Sequence, residues 1–180
     1  TLTMAVDGVL AYLQEHNPVQ LEKPVVTNLS TTLAVDKVAQ KYGVEVLRTP
    51  VGEINVATKM AEMDAIVGGE GNGGVILSES HLGRDSLVAT AVVLQRLTDL
   101  DMSLREYYNT LPHFVMSKQK ITLGESDPHE MLARIQRDAD QADIDIQDGV
   151  KLTWSGRWVH MRASNTEPLI RVYAEAGPRE

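Results

Sequence analysis

Between Pro24 and Leu77 short β-branched runs alternate with segments of helical period, and this alternation limits the possible folds more than any single motif. "PVVTNL" (Pro24 to Leu29) is followed by "STTLAVDKVAQKY", which has helical spacing and Gly43 as its stop signal. "VEVLR" reads as a second strand, the turn "TPVGE" leads into a helix from Asn55 to Met63, and "AIVG" reads as a third strand. A glycine-rich loop, Gly68 to Gly74, runs into "VILS". Strands separated by helices of this length predict βαβ units around a mostly parallel sheet. Ahead of them, "TLTMAVDGVLAYLQEH" places Ala5, Val9 and Leu13 on one helical stripe. After them, "DSLVATAVVLQRL" is apolar nearly all round, as a helix buried on every side would be, and Ser103 with Glu106 forms a capping-box signature for one more helix.

The rhythm breaks at Pro112, which ends that helix. Beyond it the sequence predicts a strand (Lys120 to Leu123) and a helix from Pro128, capped by Asp127 with Glu130 three residues on. "VKLTW" and "RWVHM" are joined by Ser155-Gly156, a two-residue hairpin connection. "LIRVYAEA" alternates, with Ile170, Val172 and Ala174 facing one way and Leu169, Arg171 and Tyr173 the other. The expected architecture is a three-layer α/β domain with a mostly parallel sheet over 1–111, a linker over 112–118, and a small α+β domain with an antiparallel sheet over 119–180.

Composition narrows the partners. With 180 residues, 43% of them hydrophobic and 23% charged, the chain has a globular balance, and it has no run apolar enough for a membrane span. A net charge of −8 disfavours extended binding to nucleic acid or to an anionic membrane, so any phosphate must be held locally. The absence of cysteine excludes disulfides and thiolate chemistry and agrees with a cytoplasmic location. The chain starts at Thr1 with neither a methionine nor a basic leader, and it is expected to be part of a longer polypeptide.

Two loops carry chemistry. "GGEGNGG" contains G-x-G-x-x-G at Gly69, Gly71 and Gly74, but a dinucleotide fingerprint needs its last glycine to open a helix, whereas "VILS" continues as strand. Glu70 and Asn72, offset by two, project from one side of an extended loop. A pure acceptor beside an amide suits the vicinal hydroxyls of a sugar, and a plain tight turn is the alternative. In "MRASNTEPLIRVY" the side chains of Ser164, Asn165 and Thr166, the fork of Arg162 and the backbone of a tight turn offer convergent donors to a phosphate dianion. Arg171 supplies a second cation, and an ordinary polar turn stopped by Pro168 is the alternative there.

Taken in order, "TPVGE", "GGEGNGGVIL", "GRD" and "RASNTEPLIRVY" resemble the last two domains of the α-D-phosphohexomutase superfamily over essentially the whole chain. The resemblance implies an intramolecular phosphotransferase that interconverts hexose 1- and 6-phosphates through a phosphoserine and a bisphosphate sugar. It also implies sugar contacts from Glu70 and Asn72, with Glu53 where some members place histidine and Ser30 where some place lysine. The loop containing Arg162, Ser164, Asn165 and Thr166 is implied to grip the non-reacting phosphate of a hexose phosphate substrate. The serine and an aspartate-rich loop for Mg2+ are implied to lie in N-terminal domains of the same polypeptide, so this chain alone is not expected to turn over. The form of the motifs is most similar to phosphoglucosamine mutases of the archaeal type, with phosphomannomutase/phosphoglucomutase as the alternative. A non-catalytic sugar-phosphate-binding module and a nucleotide-binding protein are rival readings.

The remaining candidates are structural. The histidines at 16, 81, 113, 129 and 160 share no ligand-like spacing, and "DIDIQDG" lacks the glutamate a calcium loop requires, so it reads as a solvated edge. Arg84 and Asp85 are expected either to brace the sugar loop or to cap the next helix.

Overall fold

The computed structural model describes residues 1–124, 126–164 and 167–178. The chain divides into two compact units, Thr1–Pro112 and His113–Glu180.

The first unit is built on a four-stranded sheet of β1 (Val25–Asn28), β2 (Val46–Thr49), β3 (Val67–Gly69) and β4 (Val75–Leu77) in the order β2-β1-β3-β4. β1 runs parallel to β2 and β3, and β4 pairs antiparallel with β3. Helices α1 (Leu2–His16), α2 (Ala34–Lys41), α4 (Ser86–Leu100) and α5 (Leu104–Thr110) share one core with Val25, Val67 and Val75. Helix α3 (Glu53–Glu62) covers the opposite face through Val56, Ala57 and Met60, packed with Val26 and Ile76. Successive strand residues thus feed different cores, and for this reason the strands read as continuous apolar runs. The result is three layers around a mixed, mostly parallel sheet. The predicted stripe of α1 is buried at Ala5, Val9 and Leu13, and the capping box of Ser103 and Glu106 forms in both directions.

One expectation fails in this unit. Helix α4 is not buried all round. Of its residues only Ala89 is fully buried, with Val92, Val93 and Leu97 packed against the core, while Leu87 and Leu94 are 80% and 57% exposed. A single face of α4 reaches the core, and its apolar composition marks a surface left uncovered by the rest of this unit.

The second unit is an antiparallel sheet of β5 (Val115–Thr122), β6 (Asp143–Asp145), β7 (Val150–Trp154), β8 (Arg157–Ala163) and β9 (Leu169–Ala176), ordered β5-β9-β8-β7-β6. Helix α6 (Pro128–Asp138) packs through Leu132 on Val150, Leu152, Met161 and Ile170. Asp127 caps α6 by accepting from the His129 N–H. Residues 115–118 of the expected linker run within β5, because their whole length pairs with β9. "DIDIQDG" contributes β6, an edge strand that pairs with β7. Among the described residues no helix is long and apolar enough to cross a membrane.

Candidate functional site

The connection β1-α2-β2 leaves β1 toward one side of the sheet, and β2-α3-β3 returns to its other side, so the strand order reverses between β1 and β3. In open α/β sheets the crevice at the carboxyl ends of such strands is where ligands bind. Asn28 ends β1 and Glu70 follows β3, which places both at this crevice.

Glu70 is only 5% exposed, so a carboxylate there must be bonded to persist. Its Oε1 accepts from Asn28 Nδ2 at 2.7 Å and from the Gly52 backbone N–H at 3.0 Å. Its Oε2 has longer contacts, with Asn72 Nδ2 at 3.4 Å and Arg84 Nη1 at 3.8 Å. The loop closes on itself: Glu70 N–H donates to Gly74 O at 3.0 Å, and a Cβ at Gly69, whose φ is 152°, would stand 2.0 Å from that same oxygen. Asn72 faces the loop through both ends of its amide, since its Oδ1 accepts from the Gly74 N–H at 3.2 Å.

Glu53, at the start of α3, is taken up entirely by Arg84. One carboxylate oxygen accepts from the Arg84 backbone N–H at 3.0 Å and the other from its Nε at 2.7 Å. These bonds hold the Glu53 carboxyl below the usual carboxylate range. Asp85 has the other role expected of this pair, capping α4 by accepting from the Leu87 and Val88 N–H groups at 2.8 and 3.0 Å. Ser30, in the β1–α2 loop, donates its N–H to Asn28 Oδ1 at 3.1 Å.

In the second unit Arg162 and Arg171 are register partners across β8 and β9, and Lys120 stands opposite Arg171 on β5. Directly opposed side chains share a face of the sheet, so three cations form one row, an arrangement that is destabilising unless anions intervene. Arg162 Nη1 lies 3.3 Å from Asp148 Oδ2, and Arg171 Nη2 lies 3.8 Å from Glu167 Oε2. Among the described residues Arg162 Nε is buried without a hydrogen-bond partner. The Ser164 N–H donates to Leu169 O at 2.9 Å, closing the mouth of the turn. Asn165 and Thr166 lie outside the described residues. Among the described residues no group of three or more His, Asp or Glu side chains could hold a metal ion.

The sequence model of the phosphoglucomutase/phosphomannomutase alpha/beta/alpha domain III matches residues 7–114, and that of the family's C-terminal domain matches 119–180. The chain belongs to the phosphoglucomutase/phosphomannomutase family. It is 35% identical over 158 residues to a phosphoglucomutase/phosphomannomutase of Thermococcus kodakarensis, covering 87% of this chain and 34% of that protein. To a phosphoglucosamine/phosphogalactosamine mutase of Sulfurisphaera tokodaii it is 31% identical, covering 89% of this chain and 36% of the other. The fold is shared with Aspergillus fumigatus N-acetylphosphoglucosamine mutase, solved with GlcNAc-6P and magnesium, at a TM-score of 0.67 and 15% identity over 99% of this chain and 43% of that one. The chain therefore spans about a third of the length of the curated relatives it matches.

Within this family unit the structure brings together Glu70, Asn72, Glu53 and Arg84, and separately Arg162 and Arg171. Asn28 and the Gly52 N–H are partners of Glu70 that the sequence did not reveal. A polar residue at the carboxyl end of an otherwise apolar run, next to "STT", was the available signal for Asn28.

Proposed function

We propose that this chain supplies hexose-phosphate recognition to a phosphohexomutase, with a phosphoglucosamine mutase as the best reading. The first unit addresses the sugar hydroxyls through Glu70 Oε2 and Asn72, and the second seats the non-reacting phosphate on Arg162, Arg171, Ser164, Asn165 and Thr166. The phosphoserine that donates to the free 1- or 6-hydroxyl, and the Mg2+ that neutralises charge on the transferring group, belong to N-terminal domains of the same polypeptide. The bisphosphate sugar must turn round between the two transfers, so recognition has to work in both orientations. A carboxylate addressing the hydroxyls between the two ends, with a clamp that accepts either phosphate, meets that requirement.

The observation that carries this reading is the opposition of Arg162 and Arg171 across β8 and β9, flanked by Lys120. Asp148 and Glu167 each stand beside one of these arginines, and a phosphate dianion between the two forks supplies a counter-charge common to both. The relatives named for phosphoglucosamine, at 31% identity in the case cited, support the amino sugar. The decisive experiment is to assay the full-length protein on glucosamine, mannose and glucose phosphates. Highest kcat/KM on the glucosamine phosphates is expected, a preference for mannose or glucose phosphates would reassign the hexose, and no turnover of any of the three would remove the mutase reading.

A further inference from the structure

Glu70 is held unevenly. Its Oε1 has two short bonds from the protein, while the nearest cation to Oε2 is Arg84 Nη1 at 3.8 Å, beyond hydrogen-bond distance. Arg84 is itself immobilised from three directions. Glu53 binds its backbone N–H and its Nε, and the next residue, Asp85, donates its N–H to Val75 O at 2.9 Å. Its aliphatic stem lies flat on the sugar loop, because a Cβ on Gly74 would stand 2.2 Å from Arg84 Cδ. Gly74 therefore makes room for Arg84 as well as for the turn.

We propose that Arg84 and Glu53 form a positioning pair: Glu53 fixes the guanidinium of Arg84, and Arg84 in turn fixes the second oxygen of Glu70 toward the sugar. The inference rests on the reading that Glu70 contacts the sugar, and it revises the part played by Glu53. A carboxylate whose two oxygens are both taken by Arg84 acts through that arginine, whereas direct sugar contact would require giving up one of those bonds. The pair also links the start of α3 to the loop after β3 and to the segment before α4. The guanidinium stands beside Oε2 without saturating it, and that oxygen, which also meets Asn72 Nδ2 at 3.4 Å, can still accept from a hydroxyl donor.

Double-variant kinetics in the full-length protein test this. Arg84→Gln is expected to raise KM for the hexose phosphate by roughly five- to twentyfold, the range of coupling between contacting residues, with a smaller change in kcat. Glu53→Gln should move KM in the same direction, and the double variant should be no worse than Arg84→Gln alone. In a Glu70→Gln background, adding Arg84→Gln should change KM by less than about twofold. Inhibition by inorganic phosphate, which does not engage the sugar loop, should be unchanged throughout; a merely structural role would weaken it together with KM. If Glu70→Gln itself leaves KM unaltered, the sugar-contact reading fails. If Glu70→Gln raises KM and Arg84→Gln multiplies that loss, the reading stands and the positioning role is overturned. Should Arg84→Gln not fold, the same cycle run with Arg84→Lys, which keeps the charge and loses the fork, gives the same discrimination.

Discussion

Asn28 Nδ2 donates to Glu70 Oε1 at 2.7 Å, tying the end of the first strand to a loop 42 residues away. The other end of the amide is also used: Asn28 Oδ1 accepts from the Ser30 N–H and from Thr31 Oγ1 at 2.9 Å. Asn28→Ala removes a hydrogen bond to a buried carboxylate and should lower stability by roughly 1.5 to 3 kcal/mol. Asn28→Asp is the sharper probe, because it sets a second carboxylate against Glu70. Like charges raise the folded-state pKa of such a pair, so the lost stability should return as pH falls and deepen as pH rises. Thermal unfolding of the two variants between pH 5 and pH 8 separates them, and a parallel pH course would refute the pairing.

Replacing Arg162 probes the phosphate clamp. Arg162→Ala in the full-length protein should reduce kcat/KM by roughly ten- to a hundredfold, the worth of one charged hydrogen-bonding group. Because its opposed partner Arg171 is also cationic, the variant should lose little stability in the absence of phosphate. Inorganic phosphate should raise the melting temperature of the parent and raise that of the variant much less. Equal stabilisation of both by phosphate would place the clamp elsewhere.

The architecture was legible wherever periodicity carried it. The alternation from Pro24 to Leu77 gave the three-layer unit, because strands fed from both faces must be apolar throughout, and the switch to alternating strands gave the antiparallel sheet. Helix α4 misled for a physical reason: Leu87 and Leu94 are apolar yet exposed, and composition alone cannot say which surfaces a neighbouring element covers. Glu70 was visible from the glycine loop, but its anchor Asn28 was not, since their contact depends on β1 and β3 being neighbours. The register that opposes Arg162 to Arg171 was likewise hidden, because Ser155-Gly156 fixes the β7–β8 hairpin while the β8–β9 pairing depends on the turn that follows Ala163.

A buried polar network should dominate the alkaline stability of the first unit. Asp7, 4% exposed on α1, accepts from Tyr42 OH at 2.9 Å, from Tyr107 OH at 2.8 Å and from Arg96 Nε at 3.0 Å, joining α1 to α4, α5 and the end of α2. Burial, then the Asp7 carboxylate, pushes Tyr42 up to about 12, and the same causes raise Tyr107. A raised folded-state pKa means stability that is intact below the ordinary tyrosine range near 10 and is lost as pH climbs through the folded value. Melting temperature should therefore fall above pH 10, with tyrosine ionisation at 295 nm following unfolding. Asp7→Ala should cost roughly 3 to 5 kcal/mol by stranding Arg96, and an effect below 1 kcal/mol would show that the network is not structural.

Acid should act on the second unit through His160. The ring is fully buried, and its Nε2 lies 2.6 Å from the Asp148 carbonyl oxygen. A carbonyl can only accept, so Nε2 carries the proton and donates it. Burial lowers the pKa of His160, against the opposing pull of Asp148. The folded state thus resists the second proton that the unfolded chain takes up near pH 6.5, so this contribution is intact above that pH and is lost as pH falls below it. The denaturant midpoint should drop between pH 7 and pH 5, with a slope of at most about 1.4 kcal/mol per pH unit for a single group. His160→Gln can keep a donor near the Asp148 carbonyl but cannot ionise, and it should flatten that slope. An identical acid limb of stability in both proteins would exclude His160 as its source.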